Sequence, residues 1–172
     1  MAADKTPTIS IEPLASRHRR DTFSCGNEAL DRYLRKQAGQ DARKKVTASF
    51  VLIEGDSPIV RGFYTLSATS VVLEDLPEAV TKKLPRYPLV PAILLGRLAV
   101  DQSRRGLGYG EILLLNALER CLTTKDIGWA VVVVDAKDEF ARAFYERYEF
   151  KRFSPISRRM FLFRDTIERL LR

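Results

Sequence analysis

Three glycines alternate in Gly106–Leu107–Gly108–Tyr109–Gly110, directly behind Arg104 and Arg105 and ahead of an apolar-faced stretch. Glycine reaches positive φ at little steric cost and lets another group come close to the backbone. Where such a turn opens a helix, unpaired N–H groups and the positive end of the helix dipole face outward. That is a nest for a phosphate or pyrophosphate. Each dipole contact contributes ~0.3–1 kcal/mol at an exposed site and up to ~2 kcal/mol when partly buried. Arg105 can add a charge-assisted bond to the same anion. A plain strand-to-helix turn would need one or two glycines, not three beside two arginines. The loop is not a Walker A loop, since no Gly-Lys-Ser/Thr follows. It is a poor dinucleotide fingerprint too, because Glu111 stands where the third glycine belongs.

Other residue types capable of chemistry are sparse. His18 is the only histidine, inside the basic run Arg17–His18–Arg19–Arg20, and reads as a surface residue. With one histidine so placed, no Ser/His/Asp or Cys/His arrangement is credible. Asp101 and Glu146 are possible general bases but read equally well as solvated carboxylates. Cys25 and Cys121 have neither metal-ligand spacing nor a disulfide framework, and they read as packing residues. No metal site is expected. Tyr145 follows Phe144 in an apolar-faced helix; packing and proton donation are both open to it.

These residues need elements to hold them. Runs rich in Val, Ile, Phe and Tyr predict strands over Thr47–Ile53, Gly62–Leu73, Ile93–Val100 and Trp129–Val134. Thr8–Ile11 and Met160–Phe163 are weaker candidates. Spacing of 3.6 residues predicts a first helix with Leu30, Tyr33, Leu34 and Ala38 inward and Asn27 as cap. It predicts another with Ile112, Leu115, Leu118 and Leu122 on its buried face, and one marked by Phe140, Phe144 and Tyr148. Short helical pieces are expected over Pro77–Leu84 and Thr166–Arg172. Pro85–Pro91 holds three prolines and reads as a linker. Consecutive strands early in the chain suggest antiparallel pairing, and later alternation with helices suggests parallel crossovers. The result is an α+β fold, a mixed sheet with helices on both faces.

The chain has 172 residues, 45% of them hydrophobic and 30% charged, which suits one domain over 1–172 with a real core. Disorder, collagen and disulfide scaffolds are excluded. No apolar run approaches ~20 residues, and the opening stretch lacks the apolar region of a secretory signal. A cytoplasmic protein with reduced thiols and no membrane partner is expected. The net charge is +7, and it is carried by the ends: +4 over residues 1–50, −2 over 51–141 and +5 over 142–172. A basic surface attracts polyanions. Clusters stand at Arg17, Arg19 and Arg20, at Arg43, Lys44 and Lys45, and at Lys82, Lys83 and Arg86.

Read as R-x-x-G-x-G, the loop places Arg105, Gly108 and Gly110 on the motif of the GNAT superfamily of acetyl-CoA-dependent N-acetyltransferases, which the chain resembles. The stretches Phe23–Leu34, Gln40–Arg43, Gly62–Ala68, Leu95–Asp101 and Ala143–Glu146 resemble one branch, the acetyltransferase toxins of bacterial type II toxin–antitoxin modules. The likeness runs from about Pro13 to Phe163. It implies a mixed, mostly antiparallel central sheet. It implies that Arg105, Gly106, Leu107, Gly108, Tyr109 and Gly110 cradle the pyrophosphate of acetyl-CoA. Leu98, Ala99 and Val100 would bond the pantetheine arm, with Phe144 also at the cofactor. Tyr145 would protonate the coenzyme A sulfur. Arg43, Lys44, Lys45 and Arg97 would contact tRNA, Arg97 because it falls within the branch motif.

The chemistry is consistent with that assignment. A phenol of pKa ~10 keeps its proton at neutral pH, while a thiol has pKa ~8.5. A backbone N–H at Val100 can stabilise the developing oxyanion. The lack of a dedicated base favours an α-amine of pKa ~7.7–8.0 over an ε-amine of ~10.4. The resemblance thus implies acetyl transfer to the α-amine of aminoacyl-tRNA, which blocks translation. It also implies a ribbon-helix-helix antitoxin as partner, and a homodimer is expected. Two rival readings stand beside it: an ordinary GNAT enzyme acting on a small amine or protein amine, and a non-catalytic nucleic-acid-binding module.

Overall fold

A computed structural model of the chain describes residues 7–172; the opening stretch through Thr6 lies outside the described residues. In chain order come β1 (Ile9–Pro13), α1 (Glu28–Arg32), a wider helical turn (Tyr33–Gln37) and α2 (Ala38–Arg43). Next are β2 (Ala48–Glu54), β3 (Gly62–Val72), α3 (Glu78–Thr81), β4 (Leu89–Val100) and α4 (Tyr109–Thr123). Then follow β5 (Val131–Asp135), α5 (Glu139–Glu146), β6 (Lys151–Arg152), β7 (Arg159–Phe163) and α6 (Arg164–Leu170). The strands form one mixed sheet in the order β1-β2-β3-β4-β5-β7-β6.

The chain divides into two compact units. One holds the described residues up to Thr65 together with Arg97–Asn116; the other holds Leu66–Gly96 and Ala117–Arg172. In the first, alternation along the strands puts Val51, Ile53, Phe63 and Ala99 on one face, where Phe23, Tyr33, Leu34 and Ala38 cover them. Full burial of such side chains contributes roughly 1.5–3 kcal/mol each. Leu52, Gly62 and Tyr64 take the other face, toward α4. A Cβ on Gly62 would sit 2.9 Å from Cδ1 of Leu113, so the helix packs where only glycine fits. Tyr64 donates its hydroxyl to Asn116 Oδ1 at 2.6 Å. Helices thus lie on both faces of this part of the sheet. In the second unit, Val71, Val90, Ala92, Val131, Val133 and Phe161 form the core under Leu76 and the partly buried Val80 of α3.

Several sequence expectations need correction. β4 starts at Leu89 and includes Pro91, which the sequence assigned to a linker. A proline removes one donor only, and the Pro91 carbonyl still accepts the Ala130 N–H at 2.9 Å. Of the two expected parallel crossovers, β4–β5 is parallel, but β5–β7 is antiparallel. The unpredicted two-residue β6 turns the chain back before β7. On α4 the buried row is Tyr109, Leu113, Ala117 and Cys121 with Leu114 and Leu118, whereas Ile112 is 38% exposed. On α5 the buried aromatic is Tyr145, and Phe140 is 84% exposed.

Candidate active site

The strand β4 ends at Val100 and runs straight into the glycine loop. Asp101 then shapes the turn. Its Oδ1 accepts the Ser24 N–H at 3.0 Å, and its Oδ2 accepts the Ser103 N–H at 3.1 Å and the Ser103 hydroxyl. Burial opposes its charge, yet the bonds from Ser103 and Ser24 outweigh it and hold the carboxyl below its usual range. Asp101 is 7% exposed and its lone pairs are engaged, so it is a structural cap and not a free base. The Gln102 N–H adds a bond to the Ser24 carbonyl at 2.8 Å.

Gly106 and Gly108 follow, at φ +78° and +79°. Both lie in the left-handed region, where a side chain costs about 1–3 kcal/mol of backbone strain. A Cβ added at either would meet nothing within 4 Å. The Gly108 carbonyl accepts the Ile112 N–H at 3.1 Å, which marks Gly108 as the residue that opens α4. Having no side chain, it cannot cap the first N–H groups of the helix. Those donors start at Tyr109 and Gly110. This arrangement fits a diphosphate.

Arg105 is exposed, and its Nη2 donates to the Cys25 carbonyl at 3.0 Å. Gly26, at φ +88°, lies against it: a Cβ there would be 2.7 Å from that Nη2. Leu98 and Val100 are half-buried and Ala99 is buried, on the last residues of β4. Arg97 lies over the Tyr33 ring, its guanidinium carbon 3.4 Å from the centroid. Tyr33 is placed by the wide turn, in which the Ala38 N–H reaches back to the Tyr33 carbonyl. Its hydroxyl donates to Asp41 Oδ2 at 2.8 Å. Burial first, and the Asp41 carboxylate second, raise the Tyr33 phenol above its ordinary value. Arg43, Lys44 and Lys45 are exposed where α2 ends, with Lys45 at φ +59°.

Phe144 and Tyr145 are on α5, in the second unit, where Asp138 caps the helix through the Ala141 N–H at 2.7 Å. The Tyr145 ring packs edge-on to Phe144 and tilted against Phe150, each 5.3 Å between centroids. Burial alone pushes its phenol up, so it is an O–H at every physiological pH.

The fold and this loop find counterparts among known proteins. A family model described as an acetyltransferase (GNAT) domain matches residues 47–152. The chain belongs to the GNAT acetyltransferase family. Among its relatives is a protein named probable toxin TacT from Sinorhizobium fredii, 34% identical over 170 residues, covering 94% of each chain. A tRNA-acetylating toxin of Mycobacterium tuberculosis is 40% identical over 131 residues, 76% of each chain. Three solved structures are similar. A tyrosine-to-phenylalanine mutant of KacT has a TM-score of 0.88 at 31% identity, covering 94% of this chain and 98% of the other. AtaT complexed with acetyl-methionyl-tRNAfMet has 0.87 at 28%, covering 96% and 100%. A tyrosine-to-phenylalanine AtaT mutant bound to the C-terminus of the antitoxin AtaR and acetyl-CoA has 0.78 at 26%, covering 94% and 97%.

This GNAT chain also corrects the reading of His18. It is 4% exposed. Its Nδ1 accepts the Ala15 N–H at 2.8 Å, which leaves the proton on Nε2, 2.6 Å from Glu12 Oε1. Burial and then Arg17 lower its pKa, so it is a neutral structural residue. Glu146 is tied to Arg152 at 3.3 Å and Arg142 at 3.9 Å on the helix surface. Both cysteines are buried and in no disulfide, as expected. The residues that the sequence did not single out are Glu54, Tyr33 and Asp41. Glu54 precedes the turn glycine Gly55 and looks like any solvated loop carboxylate, so no local signal marked it. The wide turn that aims Tyr33 has no motif either. No metal-binding cluster occurs among the described residues.

Proposed function

We propose that this acetyltransferase moves acetyl from acetyl-CoA to the α-amine of aminoacyl-tRNA and so blocks translation. The observation that carries the reading is the pair of open, left-handed glycines from which α4 starts. When bound, acetyl-CoA supplies a thioester-activated acetyl group. The N–H groups of Gly106–Gly110 and the free side of Arg105 hold its diphosphate. Backbone groups of Leu98, Ala99 and Val100 orient the pantetheine arm, and Phe144 packs beside it. The Val100 N–H polarises the carbonyl. Tyr145 is protonated at neutral pH and gives that proton to the departing sulfur. The acceptor α-amine is partly neutral at pH 7–8, so no residue need deprotonate it before attack; the proton its nitrogen sheds as the amide forms passes to solvent, from which Tyr145 regains the one it gave to sulfur.

Arg43, Lys44, Lys45 and Arg97 receive the tRNA; the names of the tRNA-acetylating relative and of the AtaT complex support that acceptor. A ribbon-helix-helix antitoxin neutralises the enzyme, in line with the AtaT–AtaR complex. The active form is a cytoplasmic homodimer in which residues 1–172 make a single acetyltransferase domain. No helix among the described residues is long and apolar enough to cross a membrane.

The test is labelled acetyl-CoA incubated with the protein and a panel of charged tRNAs. Label on the aminoacyl group of charged tRNA is the expected result. Label confined to uncharged tRNA or to protein lysines rejects the acceptor.

A further inference from the structure

One carboxylate holds both neighbours of the stretch Arg105–Gly108. Arg104, just before it, donates to Glu54 through Nε at 2.8 Å to Oε2 and through Nη2 at 2.8 Å to Oε1. Tyr109, just after it, donates its hydroxyl to the same Oε2 at 2.5 Å. Arg61 brings a third group, its Nε 3.3 Å from Oε1. Glu54 ends β2, a strand buried from Ser49 through Ile53, so the anchor stands on a rigid element. A two-pronged arginine–carboxylate pair fixes orientation as well as distance. Between the two anchors, Gly106 and Gly108 keep their left-handed conformation with open space in front. A loop pinned at both ends has little freedom left to lose when an anion settles on it.

We infer that Glu54 is a positioning residue for the acetyl donor: it pins both ends of Arg105–Gly108, so that the loop's N–H groups are aimed at a diphosphate before it arrives. It touches no reacting atom and acts through Arg104 and Tyr109. It also engages the Arg104 and Arg61 guanidinium groups at the end of β2, which leaves Arg105 as the loop's own cation. The inference rests on reading Gly106–Gly110 as the diphosphate site of acetyl-CoA.

The test compares two donors that share a thioester and a pantetheine arm. Acetyl-CoA carries the diphosphate; S-acetyl-pantetheine carries no phosphate. The variants are Glu54→Ala, the milder Glu54→Gln, and Tyr109→Phe, which removes one arm of the clamp. Circular dichroism confirms that each is folded, and Glu54→Gln serves if Glu54→Ala is not.

Calorimetry should show the acetyl-CoA Kd rising about tenfold in the Glu54 variant, with a smaller rise in Tyr109→Phe. The kcat/KM for acetyl-CoA should fall by about the same factor, while that for S-acetyl-pantetheine stays within about twofold. Equal losses with both donors would show that Glu54 only supports the fold. An unchanged acetyl-CoA Kd would show that the loop needs no clamp. Wild-type protein that binds no acetyl-CoA would overturn the diphosphate reading itself, and the clamp with it.

Discussion

Tyr145 is 7% exposed, and burial raises its phenol above the ordinary tyrosine value. Such a group keeps its proton at neutral pH. Replacing Tyr145 with Phe removes one oxygen and keeps the ring contacts with Phe144 and Phe150. The expected outcome is a kcat lower by about 10²-fold or more, the usual share of one acid catalyst. The acetyl-CoA Kd should stay within about twofold; a kcat near wild type would remove Tyr145 from the chemistry. Gly108→Glu acts differently. It sets a carboxylate against the expected diphosphate and forces a left-handed backbone, costing about 1–3 kcal/mol. Calorimetry should show acetyl-CoA binding lost, and the melting temperature should fall by a few degrees with the protein still folded. Cys121 is a contrast: burial pushes its thiol up to about 12, so thiol reagents at pH 8 should label it only after unfolding.

At the scale of elements, the Glu54 carboxylate joins β2 to the start of α4. Hydrogen bonds from Arg104 above all hold its pKa at about 2, against 4.5 for a free side chain. A folded-state value below the unfolded one contributes stability above the unfolded pKa. That stability is lost as pH falls from about 4.5 toward about 2. The loss is on the order of 3 kcal/mol. Urea unfolding at pH 5 and pH 3 should show about 2 kcal/mol of that loss in wild type and a flatter profile in Glu54→Gln. The bond from Tyr109 to Glu54 also ties down the first residue of the buried row of α4. Leu113 and Ala117 continue that row while Ile112 is 38% exposed, a one-position shift from the stripe that spacing alone suggested. A third element-scale feature is Thr65 on β3. It is 1% exposed, and its hydroxyl has no partner among the described residues. Thr65→Val keeps the shape and removes an unpaired polar group, so it should stabilise by about 1 kcal/mol, raising the melting temperature by roughly 2–4 °C.

Across the whole molecule the +7 charge is concentrated toward the two ends of the chain. Affinity for a polyanion then falls as salt rises, because each neutralised phosphate releases counterions. Replacing Arg43, Lys44 and Lys45 together with Ala should weaken tRNA binding. It should also reduce the slope of log K against log salt by about one per lost phosphate contact. A binding assay from 50 to 300 mM salt measures both. An unchanged slope would place the tRNA away from the end of α2.

The glycine loop, the strands around it and the family were legible in the residues, because positive φ, β-branched runs and R-x-x-G-x-G spacing are local properties. Asn27 as a helix cap was legible for the same reason, and its side chain accepts the Leu30 N–H at 3.1 Å. Glu54 and Arg104 lie fifty positions apart, so nothing local could pair them. The lowered pKa of His18 depended first on burial, which only packing supplies, and then on Arg17 beside it. Asp101 read equally as a base or a solvated carboxylate, and Ser24, far back in the chain, decided it by occupying a lone pair. Sequence determined which backbone conformations each segment prefers; the tertiary structure decided which distant side chains meet, since burial and pairing energies exist only after the chain has closed on itself.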